Sequence, residues 1–263
     1  MHIASAGAFA IRLPSIRCPM PFTIAHAAAA LPVRRAWRAL PLDALVLGAM
    51  SPDFEYVLRL AVQGRYWHTP SGLLLASVPA TLIAVRLWRA LVRPALVPLL
   101  PAGMRPITRP SSSASAVLLA AAAALAGAIT HVLWDGFTHR TGWAVMRMPA
   151  LLEPASPLGL SVPWYNVLQH ASTLLGGTVL LIAFGGWMRR HPPEARRFAP
   201  GQGRALVRAA AIIIGAAVLA SLVNGARALG SGPEWVLGYA AVGGMAGLAL
   251  AATAYALLSR IRP

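Results

Sequence analysis

Residues 114–134 read ASAVLLAAAAALAGAITHVLW, twenty-one residues with no Asp, Glu, Lys or Arg among them. A helix needs about 20 predominantly apolar residues to cross the hydrocarbon core of a bilayer. This stretch meets that length and then runs directly into Asp135-Gly-Phe-Thr-His139. A membrane span that ends on a histidine–aspartate–histidine stripe sets the frame for the rest of the chain.

Four further segments read the same way, at 72–92, 167–188, 207–229 and 235–258. The composition agrees. Of 263 residues, 57% are hydrophobic and only 11% charged, with a mean hydropathy of +0.63. A soluble domain carries about 25% charged residues, so this chain lacks a polar skin. Disorder requires the opposite composition. One cysteine, Cys18, excludes a disulfide-stapled scaffold. The fold class is therefore all-α: a polytopic helical membrane protein with about five full spans. Residues 20–263 form one multi-pass domain. Residues 1–19, MHIASAGAFAIRLPSIRCP, lack the long apolar core of a signal peptide and are expected to be an extension ahead of Met20.

The basic residues are all arginine, and the net charge is +16. A nucleic-acid footprint would cluster such charge on one face. Here the arginines fall in short connections. The 86–110, 189–208 and C-terminal stretches hold thirteen, while the alternate side holds four. The positive-inside rule puts the arginine-rich loops and the C-terminus in the cytoplasm and residues 135–163 outside. Between Met20 and the first span, PFTIAHAAAALPV and LPLDALVLGAM are too short to cross, and are expected to be interfacial or re-entrant helices. Gly243 and Gly247 have the GxxxG spacing that permits close helix approach.

Chemistry is concentrated at the outer ends. His131, Asp135 and His139 follow at i, i+4 and i+8, on one helical face. His170 lies early in the next span. His68 precedes the first span in RYWHTPSG, Asp53 sits in SPDFEY with Glu55 two residues on, and His26 belongs to the first short segment. Ionisable groups near membrane depth are costly and mark function. Singly, each has an ordinary explanation: Asp53 can cap the helix that follows it, and Asp135 can pair with Arg140. Together, imidazoles and carboxylates suit zinc or a comparable divalent cation. The candidate ligands are His26, Asp53, His68, His131, Asp135, His139 and His170, with Asp53 or Glu55 as general base if not ligating.

The stretches MPFTIAHAAAALP (20–32), LVLGAMSPDFEY (45–56), WHTPSGLL (67–74), THVLWDGFTHRTGW (130–143) and VLQHASTLLGG (167–177) occur in order. Together they resemble the bacterial membrane family designated domain of unknown function 4184. More distantly, the pattern is similar to bacterial inner-membrane proteins labelled metal-dependent hydrolases. The corresponding positions are His26, Asp53, His68, and His131 with Asp135. Here Pro70 precedes Ser71, so the motif at His68 matches only approximately. The more distant resemblance implies a metal-dependent hydrolase in the bacterial inner membrane, and a site near the outer membrane–water boundary suits an amphiphilic substrate such as a phospholipid or another ester or phosphate. The candidate partners are the lipid bilayer, a lipid-like substrate and a second copy of the chain, with no nucleic acid. A non-enzymatic metal-binding or transport protein would use the same ligands. A haem held by His131 and His170 would leave both aspartates unexplained.

Overall fold

The computed structural model describes residues 23–105, 113–156 and 161–261. The expected extension at 1–19 lies outside them. The described chain opens on a 3-10 turn, Thr23–Ala29, followed by α1 (Ala30–Ala36), α2 (Leu42–Met50) and α3 (Phe54–Arg59). Five long helices follow: α4 (Pro70–Leu99), α5 (Ala114–Thr138), α6 (Trp164–Arg190), α7 (Gln202–Ala226) and α8 (Pro233–Ile261). All five are long and apolar enough to cross a membrane. The sole sheet among the described residues is a two-residue antiparallel pair, β1 (Pro154–Ala155) with β2 (Val162–Pro163), in the loop before α6.

Four of the long helices run past the spans read from sequence, and α7 starts earlier than its span but ends at Ala226. α4 extends to Leu99 because its prolines bend the helix without ending it. Pro79 and Pro94 lack the N–H that an α-helical ladder needs, and each follows a π-helical turn, Leu73–Ser77 and Trp88–Val92, that absorbs the mismatch. α5 continues through Gly136 to Thr138 and leaves His139 as its C-cap.

The outside of the bundle is apolar. Leu75, Leu118, Leu174, Leu181, Ile182 and Leu250 all project outward from the long helices. The inside holds small residues, histidines and hydroxyls instead. That inversion suits a lipid exterior.

α2 spans nine residues, about 14 Å at 1.5 Å per residue, which is half a bilayer core. It lies within the bundle, alongside α5. The contact is backbone against backbone. A Cβ on Gly127 would stand 2.3 Å from the Leu45 carbonyl oxygen, and one on Gly48 2.4 Å from that of Ala124. Ala44, Ala49, Ala120, Ala123, Ala124 and Ala128 complete the buried surface around this crossing. Small residues drive such approaches because lipid supplies no hydrophobic force between helices. At its start, α2 is anchored by Asp43, which accepts two hydrogen bonds from Arg89 of α4 at 2.7 and 2.8 Å. Burial opposes the charge on Asp43, but Arg89 overcomes it and holds the carboxyl below its ordinary pKa.

α7 and α8 form a tight antiparallel pair. Gly243 and Gly247 face α7 at Ala220 and Ala217, so the GxxxG spacing serves an intramolecular crossing. The Arg260 side chain donates to the Ala90 carbonyl and Arg227 to that of Leu60 at 3.1 Å, tying this pair to α4 and to the end of α3. On the other side, α6 packs against the 3-10 turn, with Gly176 seated over the backbone of Ala25.

Candidate metal centre

Four segments converge at the end of α5. His26 comes from the 3-10 turn. Asp53 ends the Ser51–Asp53 turn that follows α2. His68 ends the Tyr66–His68 turn that leads into α4. His131 and Asp135 stand one turn apart on α5, and His139 caps that helix. Gly136 does not break the helix, so the stripe remains on one face as far as His139.

His131 Nε2 lies 3.1 Å from Asp135 Oδ2 and 3.5 Å from Asp53 Oδ1. His68 Nε2 lies 3.6 Å from Asp135 Oδ2 and 3.5 Å from Asp53 Oδ1. One ligand atom from each of these four residues falls within 4.8 Å of all the others. The cluster is largely buried: His131 is fully buried and Asp53 is 3% exposed, while the His68 side chain is 19% exposed.

Three of these separations, at 3.5–3.6 Å, suit ligands of one ion better than hydrogen-bonded ion pairs, while the 3.1 Å between His131 and Asp135 is within hydrogen-bond range. A good N–H···O hydrogen bond spans about 2.7–3.2 Å. Two donors held tetrahedrally at zinc bond lengths stand about 3.3–3.6 Å apart. His26 Nε2, both His68 nitrogens, His131 Nε2 and Asp135 Oδ1 are buried without a hydrogen-bond partner. Buried polar atoms are normally paired, and here His68 Nε2 and His131 Nε2 both face the carboxylates of Asp53 and Asp135. The residues present therefore fit a divalent cation, with two nitrogen and two oxygen donors.

The surroundings fix each donor. The buried His131 Nδ1–H donates to the Ala49 carbonyl at 2.8 Å. That sets the tautomer and points the Nε2 lone pair into the cluster. The His68 turn is held from three sides. Glu55 accepts the Trp67 N–H at 3.1 Å, the Thr69 hydroxyl caps α4 through the Gly72 N–H, and the Ser77 hydroxyl reaches the Trp67 carbonyl. His26 stacks on His131 with ring centroids 3.9 Å apart. Burial and the neighbouring His131 lower the His26 pKa to about 4, so its imidazole is neutral. Burial also works against a charge on His68, but the facing Asp135 and Asp53 overcome it and raise its pKa. His131 and His68 likewise outweigh burial to keep the Asp53 carboxyl well below its usual range.

Several expectations change. Glu55 is buried, but its oxygens are taken by Arg59 and the Trp67 N–H, and it is outside the four-residue group. It positions the turn carrying His68 and is not placed to act as a base. Asp53 makes no side-chain cap to α3. The ion-pair neighbours of Asp135 are histidines, not Arg140. His170 is exposed on α6 and belongs to none of the ion pairs or ring contacts of the cluster. The buried face of α6 is instead Tyr165, Asn166, Gln169 and Gly176, and His170 projects away from it. A haem between His131 and His170 has no support in this arrangement. Reading the sequence missed the Ala49 carbonyl and the glycine crossing that presents it; the signal was the small-residue spacing in Ala44, Gly48 and Ala123, Gly127.

Beside the cluster runs a cleft of about 1480 Å³ at membrane depth. Asp53 and Phe54 line one end and Asp43 and Arg89 the other, with Leu87 and Leu248 among the apolar walls between α4 and α8.

The family model described as Domain of unknown function (DUF4184) matches residues 20–257. No curated protein matches the chain, and neither does any solved structure.

Proposed function

The chain belongs to the DUF4184 family, and from the geometry of its buried cluster we propose that it is a membrane-embedded metal-dependent hydrolase acting on an amphiphilic ester or phosphate. The observation that carries this reading is the buried grouping of Asp53, His68, His131 and Asp135, each offering one ligand atom within 4.8 Å of the others. A divalent cation there, most simply zinc, supplies Lewis acidity toward a phosphoryl or acyl oxygen and lowers the pKa of a water. The chain's own residues hold and orient. The Ala49 carbonyl keeps His131 in one tautomer, Glu55 fixes the turn of His68, and Asp53 joins the cluster to the cleft.

The cleft supports the amphiphilic substrate. Drug-sized ligands occupy about 300–1,000 Å³, and this space is larger, apolar and at the depth of lipid chains. In the proposed orientation the arginine-rich loops face the cytoplasm of a bacterial inner membrane, so the polar group of the substrate meets the cluster near the outer boundary.

The test is zinc content and lipid turnover of purified protein in vesicles of mixed phospholipids. Bound zinc, with hydrolysis products that disappear in His131→Ala, supports the reading. Zinc uptake into the vesicles without hydrolysis would instead favour a transporter. Absence of bound zinc overturns the metal centre.

A further inference from the structure

The four-residue group uses only one oxygen of Asp135. Oδ2 faces His68 and His131, while Oδ1 faces away from them, toward two other histidines. His26 Nε2 stands 3.5 Å from Oδ1, and so does His139 Nδ1. Both separations again match the spacing of donors around one tetrahedral ion, about 3.3–3.6 Å. The His26 side chain is 4% exposed, and its Nε2 has no hydrogen-bond partner; Oδ1 has none either. His139 is the more exposed, at 26% for its side chain, and its Nδ1 has only long contacts of 3.3 Å, to the Thr138 hydroxyl and the Asp135 carbonyl.

We infer that the centre is binuclear: a second divalent cation binds His26 Nε2, Asp135 Oδ1 and His139 Nδ1, and Asp135 bridges the two ions. This rests on the reading of the first site as a metal centre. Three protein donors with a remaining position for water are the pattern of a catalytic rather than a structural site. Paired ions joined by shared ligands recur in phosphoester hydrolysis, where they hold the attacking and leaving oxygens together. The two sites differ in access. The first is walled in by α2 and α5, whereas His139 opens the second toward the loop that follows α5. The second ion is therefore the more exchangeable one, while Asp53 keeps the first beside the cleft.

The roles of the two histidines follow from their placement. His26 is a buried donor delivered by the N-terminal turn, so that turn must be seated before the second ion is held. His139 sits where α5 ends, its backbone N–H bonded to the Asp135 carbonyl at 3.1 Å. That bond sets the distance between the last ligand and the bridging carboxylate.

Zinc stoichiometry of the full chain in detergent, after dialysis against metal-free buffer and reloading, separates the possibilities. The expected result is two zinc ions per chain in the unaltered protein, one in His26→Ala and one in His139→Ala. His139→Ala guards against a folding defect, because that side chain is partly exposed at a helix end. A second readout is manganese loading: an exchange-coupled spectrum is expected, collapsing to that of isolated ions in His139→Ala. One zinc ion per chain in the unaltered protein overturns the second site while leaving the first intact. The same holds if His26→Ala and His139→Ala both keep the stoichiometry of the unaltered protein, since neither histidine then holds an ion of its own. No bound zinc at all refutes the underlying metal reading as well.

Discussion

Replacing Gly127 with alanine adds one carbon and removes no ligand atom. The new Cβ would stand 2.3 Å from the Leu45 carbonyl oxygen and 2.5 Å from the Ala49 nitrogen. Both are backbone atoms, so no side chain can rotate aside. Ordinary contact begins near 3.4 Å, so α2 has to retreat by the difference from 2.3 Å, about 1 Å. Asp53 lies three residues beyond the end of α2, and Ala49 lies within it. The shift therefore withdraws the Asp53 carboxylate and stretches the 2.8 Å bond that orients His131. Metal sites tolerate ligand displacements of only about 0.2 Å. Overpacking costs roughly 1–3 kcal/mol, and each 1.4 kcal/mol is about tenfold in affinity. Zinc affinity should fall by about 10–100-fold in Gly127→Ala, measured by competition with a chromophoric chelator on detergent-purified protein. Gly177→Ala is the control, since a Cβ there meets nothing within 4 Å; it should bind zinc normally. If Gly127→Ala retains unaltered affinity and thermal stability, α2 does not position the site through this crossing, and the reasoning fails.

Three other outcomes follow from the same geometry. Glu55→Gln should weaken zinc binding about tenfold without removing a ligand, because orienting partners of metal ligands carry effects of that size; unchanged affinity would show that the His68 turn holds itself. Arg89→Ala should cost about 1–3 kcal/mol, read as a lower Tm. Because the folded pKa of Asp43 is depressed below its usual 3.8, the stability it gains from Arg89 is present above that value and fades as pH falls through the lower folded value. The Tm gap to the unaltered protein should then be constant from pH 8 to pH 5 and narrow only below about pH 4, and a gap that closes near neutrality would contradict the assignment. With Cys18→Ser as background, Glu194→Cys should be labelled by an impermeant thiol reagent only after the cytoplasmic face is exposed, and Glu153→Cys in intact cells; the reverse pattern would invert the proposed orientation.

The long helices were legible because lipid imposes a length and a composition that a sequence displays directly. Their ends were less so: α4 passes its prolines by π-helical turns, which no hydropathy window registers. The stripe His131, Asp135, His139 was legible from helical spacing alone. His170 illustrates the limit of that logic. It lies at the right depth, but the buried face of α6 is set by Gly176 against Ala25 and by Gln169, and the histidine points elsewhere. Glu55 was legible as unusual but not as a positioning group, since its partners Arg59 and Trp67 differ in kind and distance along the chain. The depth of α2 was hidden for a related reason. Nine residues cannot declare whether they lie on a membrane or within it; that depends on the matching small residues of α5, some eighty positions later.

The segmental origin of the cluster also imposes an order on how the protein is made. Synthesis delivers His26, Asp53 and His68 before any of α5 exists, on pieces too short to span the bilayer. They have no shared destination until Gly127 and Ala124 offer α2 its groove and His131 and Asp135 supply the missing donors. An ion that binds only the finished arrangement adds its binding energy to the last step of assembly. On the metal reading proposed above, the ion would be a latch and not a nucleus, closing an insertion that the glycine crossing has already arranged. Cells starved of the ion would accumulate a protein with its five long helices in place and its amino-terminal third unsecured.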